Sequence, residues 1–158
     1  MIADAMLGAL ARWLRVLGLD VVYDPSLDDP EIVERAVAEN RVILTRDRRL
    51  VQRRLARNHL LIRSDVVDEQ VRQVLEDLDI RPDPDRLLGR CLRCNAATEP
   101  IPAEEARAVV PPWIARTQEE FRACPVCGRI YWAGTHAERM RKRLEGFLNS
   151  PRDPSSLR

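Results

Sequence analysis

Four short apolar runs alternate with stretches of helical periodicity over the first 86 residues, and few folds accommodate that order. The runs are Met1–Ala3, Val21–Tyr23, Val42–Leu44 and Leu60–Ile62. After the first, Met6, Leu7, Leu10, Trp13, Leu14 and Leu17 recur at threes and fours, the spacing of one helix face. Gly18 follows as the C′ residue that stops this helix. Asp29 is expected as the N-cap of a second helix, with Pro30 at its first position. Ile32, Val33, Ala36 and Val37 give it a buried stripe, and Asn40 ends it. A third helix is expected over 48–57 and a fourth from Val66 to Leu78. The order β-α-β-α-β-α-β-α predicts a parallel sheet flanked by helices. Gly8 inside the first helix costs about 1 kcal/mol relative to Ala, which predicts close approach of a partner backbone or of substrate.

Carboxylates recur at the junctions. Asp4, Asp47 and Asp65 follow strands, and Asp28 and Asp29 occupy the loop before the second helix. Parallel strands bring such junctions to one edge of the sheet, where α/β proteins bind ligands. Each Asp alone reads as a helix cap. Clustered, they repel one another unless a cation neutralises them. Hard carboxylate oxygens suit Mg²⁺ or Mn²⁺, and paired metals about 3.5–4 Å apart support phosphodiester cleavage. Arg12 and Arg15 lie off the apolar stripe, either on a solvated helix face or facing a phosphate ligand. Arg46 and Arg48 flank Asp47.

The second half carries Cys91-x2-Cys94 and Cys124-x2-Cys127, separated by 29 residues. A two-residue gap lets both thiolates of a knuckle reach one tetrahedral metal, so two knuckles predict a closed structural zinc site. Disulfides are the other reading, but nothing at the N-terminus reads as a secretory signal. A short hairpin is expected at Asn95–Pro102 and a short helix at Pro102–Val109. Pro111-Pro112-Trp113 reads as extended, Thr117–Glu120 as a capping box and Ile130-Tyr131-Trp132 as a strand. A second capping box at Thr135–Glu138 opens a basic helix with Arg139, Arg141, Lys142 and Arg143. His136 lies at its start, either merely exposed or touching RNA beside Arg139. Residues 149–158 are expected to be a disordered tail.

Charge sharpens the division. The chain holds 26 basic and 25 acidic residues. Residues 1–86 carry 14 basic and 17 acidic groups, and 87–158 carry 12 and 8. Lys142 is the only lysine; arginine forks suit phosphate, although a GC-rich genome gives the same bias. No stretch approaches the roughly 20 apolar residues of a membrane helix, so a cytoplasmic protein is expected. The division expected is 1–86, 87–148 and the tail 149–158.

The stretch Asp4-x-Met6-Leu7-Gly8-x-Leu10-Ala11-Arg12-Trp13-Leu14-Arg15-x-Leu17-Gly18 resembles the opening motif of the mut-seven C-terminal RNase domain family. Thr45-Arg46-Asp47 and Arg63-Ser64-Asp65 resemble its later acidic motifs. The cysteine pairs, Pro111-Pro112 and Cys124-Pro125-x-Cys127-Gly128-Arg129-x-Tyr131-Trp132-x-Gly134-x-His136-x-x-Arg139-Met140 resemble its zinc ribbon. The resemblance covers about residues 1–145. It implies an α/β, PIN-like parallel sheet followed by a four-cysteine zinc ribbon, and a metal-dependent ribonuclease. Asp4, Asp47 and Asp65 match motif positions, while Asp28 and Asp29 compete for the remaining acid. The expected cofactors are structural zinc and catalytic Mg or Mn. The expected partner is RNA, with ribosome or tRNA association as one form of it. Arg12, Arg15, Arg46, Arg48, His136 and Arg139 are the expected RNA contacts. A non-catalytic RNA- or ribosome-binding protein on the same fold is the alternative, and a toxin-like component with a protein partner is a third reading.

Overall fold

A computed structural model describes residues 1–132 together with 134, 142 and 146. His136, Arg139, Arg141, Arg143 and the expected tail lie outside the described residues. By backbone proximity the chain divides into two compact units. The first comprises 1–99 and 124–129, the second 100–123 and the chain from 130 onward.

The first unit holds a four-stranded parallel sheet. Its strands are β1 (Ile2–Ala3), β2 (Val22–Tyr23), β3 (Ile43–Thr45) and β4 (His59–Leu61), in the order β2-β1-β3-β4. Ile2 pairs with Val22 on one side and Ile43 on the other, and Ile43 pairs with His59. The helices are α1 (Gly8–Val16), α2 (Asp29–Ala38), α3 (Arg48–Val51) and α4 (Val67–Asp77), with a 3₁₀ turn at Ala5–Leu7 before α1. On one face, Ile2, Val22 and Ile43 bury against Ile32, Val33 and Ala36 of α2 and Leu50 of α3. On the other, α1 packs with α4. Leu10, Ala11 and Leu14 of α1 and Val71, Val74 and Leu75 of α4 are buried.

Helix ends follow local chemistry. Gly18 takes φ +78°. Its N–H donates to the Arg15 carbonyl and that of Leu19 to Leu14, the paired bonds of a Schellman cap. Asn40 and Asp79 take the same left-handed position after α2 and α4. A Cβ on Gly8 would lie 2.6 Å from the Tyr23 hydroxyl. The close approach expected at Gly8 is therefore made by the Tyr23 side chain, whose hydroxyl donates to the Ala5 carbonyl.

Several local expectations are corrected. The N-cap of α2 is Asp28, not Asp29. Asp28 accepts from the Glu31 N–H, and Glu31 Oε2 accepts from the Asp28 N–H. That reciprocal pair satisfies two orphan donors, which Asp29 one residue on has no Glu partner to match. The third helix stops at Val51, because its arginine-rich continuation has no apolar stripe and Leu50 is the one residue buried on it. The hairpin around the first knuckle runs from Gly89 to Thr98, bridged at Arg90 and Ala97.

The second unit contains β5 (Glu99–Ile101), α5 (Ala103–Arg107), α6 (Pro112–Thr117), β6 (Phe121–Ala123) and β7 (Ile130–Trp132), with the strands ordered β5-β6-β7. Ala106, Ile114 and Phe121 form its core, with Ile130 and Trp132 against them. Pro111–Trp113 is not extended throughout. Pro112 begins α6, a position that needs no N–H, and the helix delivers Ile114 to the core. Thr117 closes α6 rather than capping another helix, its hydroxyl donating to the Trp113 carbonyl at 2.8 Å. Among the described residues, no helix is long and apolar enough to cross a membrane.

Candidate active site and thiol metal centre

The strand order places β1 between β2 and β3, so the connection leaving β1 runs toward β2 and the one leaving β3 runs the opposite way, toward β4. This is the topological switch point at which open α/β sheets bind ligands, at the carboxyl ends of the strands. Asp4 ends β1 there, and Thr45 ends β3 there. Asp4 is 7 % exposed and Thr45 fully buried. The Thr45 hydroxyl donates to Asp4 Oδ2 at 2.7 Å and accepts from the Asp47 N–H at 2.9 Å. One buried hydroxyl thus ties two strand ends together. Asp4 Oδ1 accepts from the Met6 N–H at 3.3 Å, capping the 3₁₀ turn. Asp47 Oδ1 accepts from the Arg49 N–H at 2.7 Å and caps α3. Each of these two aspartates keeps oxygen lone pairs beyond its cap, since a carboxylate has about four acceptor sites.

Asp65 is exposed in the loop after β4. That loop is pinned from α4. Gln73 accepts from the Arg63 N–H and donates to the Leu61 carbonyl, Gln70 donates to the Ser64 carbonyl, and the Ser64 hydroxyl donates to Glu69. Asp28 is exposed and engaged in its capping box, while Asp29 Oδ2 lies 3.4 Å from Arg53 Nη2. Asp24 directly follows β2, after the Ala3–Tyr23 pair that Asp4 follows on β1. The rule that singled out Asp4 would have found it. Thr45 carried no role in the sequence, because a threonine at a strand end gives no sign of which carboxylate it will meet.

The arginines separate. Arg12 and Arg48 are exposed and Arg46 half-buried. Arg15 is 4 % exposed. Its Nε donates to the Val21 carbonyl, and its Nη1 donates to the carbonyls of Leu92 and Arg93. It fastens the start of β2 to the first knuckle. Its position off the apolar stripe reflects a buried polar contact, not a solvated face.

The cysteines converge. All four sulfurs lie within 4.8 Å of one another. Cys91 and Cys127 sulfurs are 3.5 Å apart, and those of Cys94 and Cys124 are 3.4 Å apart. Those separations exceed a disulfide's roughly 2.05 Å. They approach the roughly 3.8 Å between ligands of a tetrahedral ion with bonds near 2.3 Å, and all four cysteines are free thiols. The donor set fits zinc. Desolvation and crowding by its fellow thiols push the Cys94 thiol up to about 12; since the thiolate is the metal ligand, metal entry releases protons. Each knuckle ends in a left-handed residue four positions after its first cysteine, Asn95 at φ +65° and Gly128 at φ +69°. Each of these residues donates its N–H to that cysteine's carbonyl at 2.9 Å.

Among the described residues, the thiols are the one group of three or more metal-ligating side chains that close to this distance. No three carboxylates at the sheet edge close to this distance among the described residues. Mg²⁺ keeps several waters and is bound through one or two carboxylates. Asp4 and Asp47, which follow the neighbouring strands β1 and β3, offer hard oxygens of the type such an ion takes.

Comparison with protein families finds that the model described as the Mut7-C RNAse domain matches residues 1–144. No curated protein and no solved structure matches the chain.

Proposed function

Because the chain belongs to the Mut7-C RNAse domain family, we propose that it is a metal-dependent endoribonuclease hydrolysing RNA phosphodiester bonds at the Asp4–Asp47 edge. The observation carrying this reading is the buried Asp4 carboxylate at the switch point, tied to Asp47 through Thr45. Asp4 and Asp47 would hold Mg²⁺ or Mn²⁺, with Asp65 and either Asp28 or Asp29 at the flanks. When bound, such a cation lowers the pKa of a coordinated water and stabilises the departing oxygen. Thr45 fixes the direction of the Asp4 carboxylate. Arg12, Arg46 and Arg48 orient the scissile phosphate, and His136 and Arg139 extend the RNA path. The four thiolates hold a structural zinc, which leaves no ligand position for chemistry.

The test is cleavage of labelled single-stranded RNA and of tRNA with Mg²⁺ and with Mn²⁺, comparing wild type with Asp47→Asn. Asparagine keeps the cap and removes the charge. Metal-dependent cutting that Asp47→Asn loses is expected. Equal cutting by both proteins would overturn the assignment. The separation of the carboxylates favours a second reading, an RNA- or ribosome-binding protein without catalysis. That reading predicts salt-dependent binding by both proteins and no product.

A further inference from the structure

A cleft of about 360 Å3 runs along the free edge of β2 and the first cysteine knuckle. It belongs wholly to the first unit. Arg35, Arg41, Arg90 and Arg93 line it, with Tyr23 and Asp24 at its strand side. The arginines come from three separate places: α2, the turn after it and the knuckle. Such convergence of guanidinium groups is costly unless carboxylates or a ligand's anions balance them.

Two of these arginines are held in place. Arg41 pairs with Asp20 and Glu39 and donates to the Met1 carbonyl. Burial lowers its pKa, but the two carboxylates outweigh burial and keep it firmly charged. Arg90 donates to the Asn95 carbonyl at 2.8 Å. The knuckle itself is locked: Asn95 donates to Asp20 and accepts from the Val21 N–H, while buried Arg15 holds the carbonyls of Leu92 and Arg93. Arg93 therefore stands on a rigid turn with its side chain exposed, and it makes no ion pair with any described residue. Arg35 pairs with Glu39 at an exposed site and also acts electrostatically on Asp24. Water-accessible guanidinium forks carried by a fixed turn and a helix match phosphate oxygens. The volume lies in the range of small-ligand sites, and the half-exposed Tyr23 ring offers a face for a base.

We propose that this cleft is a subsite for one nucleotide of a single RNA strand, its phosphate on Arg93 and Arg35 and its base against Tyr23. The strand then leads along β2 toward Asp24, which follows Tyr23 as Asp4 follows its register partner Ala3. The proposal deepens the ribonuclease reading and rests on it for the direction of the strand. It adds a binding locus away from the carboxylates.

Binding tests it without cleavage. A labelled 2′-O-methyl oligoribonucleotide, which resists cutting, is titrated against the zinc-loaded full chain by fluorescence anisotropy at several salt concentrations. The proteins compared are wild type, Arg93→Gln and Arg35→Gln/Arg93→Gln. Circular dichroism melts check that the variants fold. The double variant is expected to bind about ten-fold more weakly, with a salt slope smaller by about one, as lost phosphate contacts require. Arg93→Gln alone, which breaks no ion pair, is expected to move both in the same direction. Unchanged affinity and slope in both variants overturn the proposal. Equal affinity for inorganic phosphate or for a free mononucleotide also overturns it, because the ligand is then not a strand. Loss of cleavage in Asp47→Asn with unchanged binding in the arginine variants removes the subsite and leaves the nuclease. Weakened binding in the arginine variants with no cleavage by wild type keeps the subsite and removes the nuclease.

Discussion

Four thiols meet within 4.8 Å at the knuckles, whereas among the described residues no three carboxylates do so at the sheet edge, where one threonine hydroxyl joins the Asp4 carboxylate to the Asp47 backbone. The difference lies in what holds each set. Each cysteine pair is shaped by a five-residue turn closed by its own backbone bond and a left-handed residue. The ligands are local, soft and closed. The aspartates follow separate strands, and their positions depend on strand order, register and caps.

The sharpest way to break this contrast is to remove the thiol metal. Cys124→Ser, or exhaustive chelation, should lose one zinc per chain by elemental analysis. Binding energies of structural zinc reach about 10–16 kcal/mol in small domains, so even partial coupling should lower the melting temperature by about 10 °C or more. An unchanged melt would mean that the knuckles stand without metal. Neutralising the proposed edge site should do the opposite. Asp4→Asn should lower cleavage by about 1,000-fold, as losing a preorganised charge-stabilising group does, with a much smaller change in melting.

Thr45→Val probes the hydroxyl that joins the two aspartates. It leaves a buried carboxylate oxygen short of a donor, costing about 1–3 kcal/mol, and should lower activity as well. Thr45→Ser should recover most of both in parallel melts and assays. Equal losses in Val and Ser would assign the effect to packing. Next comes the pair before α2. Asp28→Ala should destabilise by about 1 kcal/mol through the lost cap, and Asp29→Ala by less. Cleavage assays on both then say which carboxylate serves the site, independent of the cap.

The smallest effect concerns the knuckle's anchor. Burial raises the Asp20 pKa, but hydrogen bonds from Arg41 and Asn95 outweigh it and hold the carboxyl below its ordinary 3.8. A depressed carboxylate contributes stability above its unfolded value, and that contribution fades as pH falls through it. The gap in stability between wild type and Asp20→Asn should therefore be level from pH 7 to about 5 and close below 3.8. A gap that does not narrow at all as pH falls below 3.8 would show that the side chain acts by shape alone.

Much of this was legible along the chain because it is local. Apolar spacing at threes and fours marked α1 and α4, Gly18 and Asn40 marked helix ends, and the two Cys-x2-Cys spacings marked one metal centre. Where local signals competed, the chain misled. Asp28 and Asp29 both read as caps, and only the reciprocal bond with Glu31 chose between them. Thr117 read as a helix start, yet Phe121 was needed in the small core and pulled its segment into a strand.

The sequence by itself determined the alternating α/β order, the residue types at each strand end and the four thiols of one site. These follow from periodicity, capping chemistry and turn geometry, which act over a few residues. Tertiary structure alone decided that β1 lies between β2 and β3, that Thr45 joins Asp4 to Asp47, and that Arg15 is buried as a fastener. Those outcomes depend on which distant groups share a buried space, where each unpaired polar atom costs too much to leave unsatisfied, and no short stretch of chain encodes its distant partner.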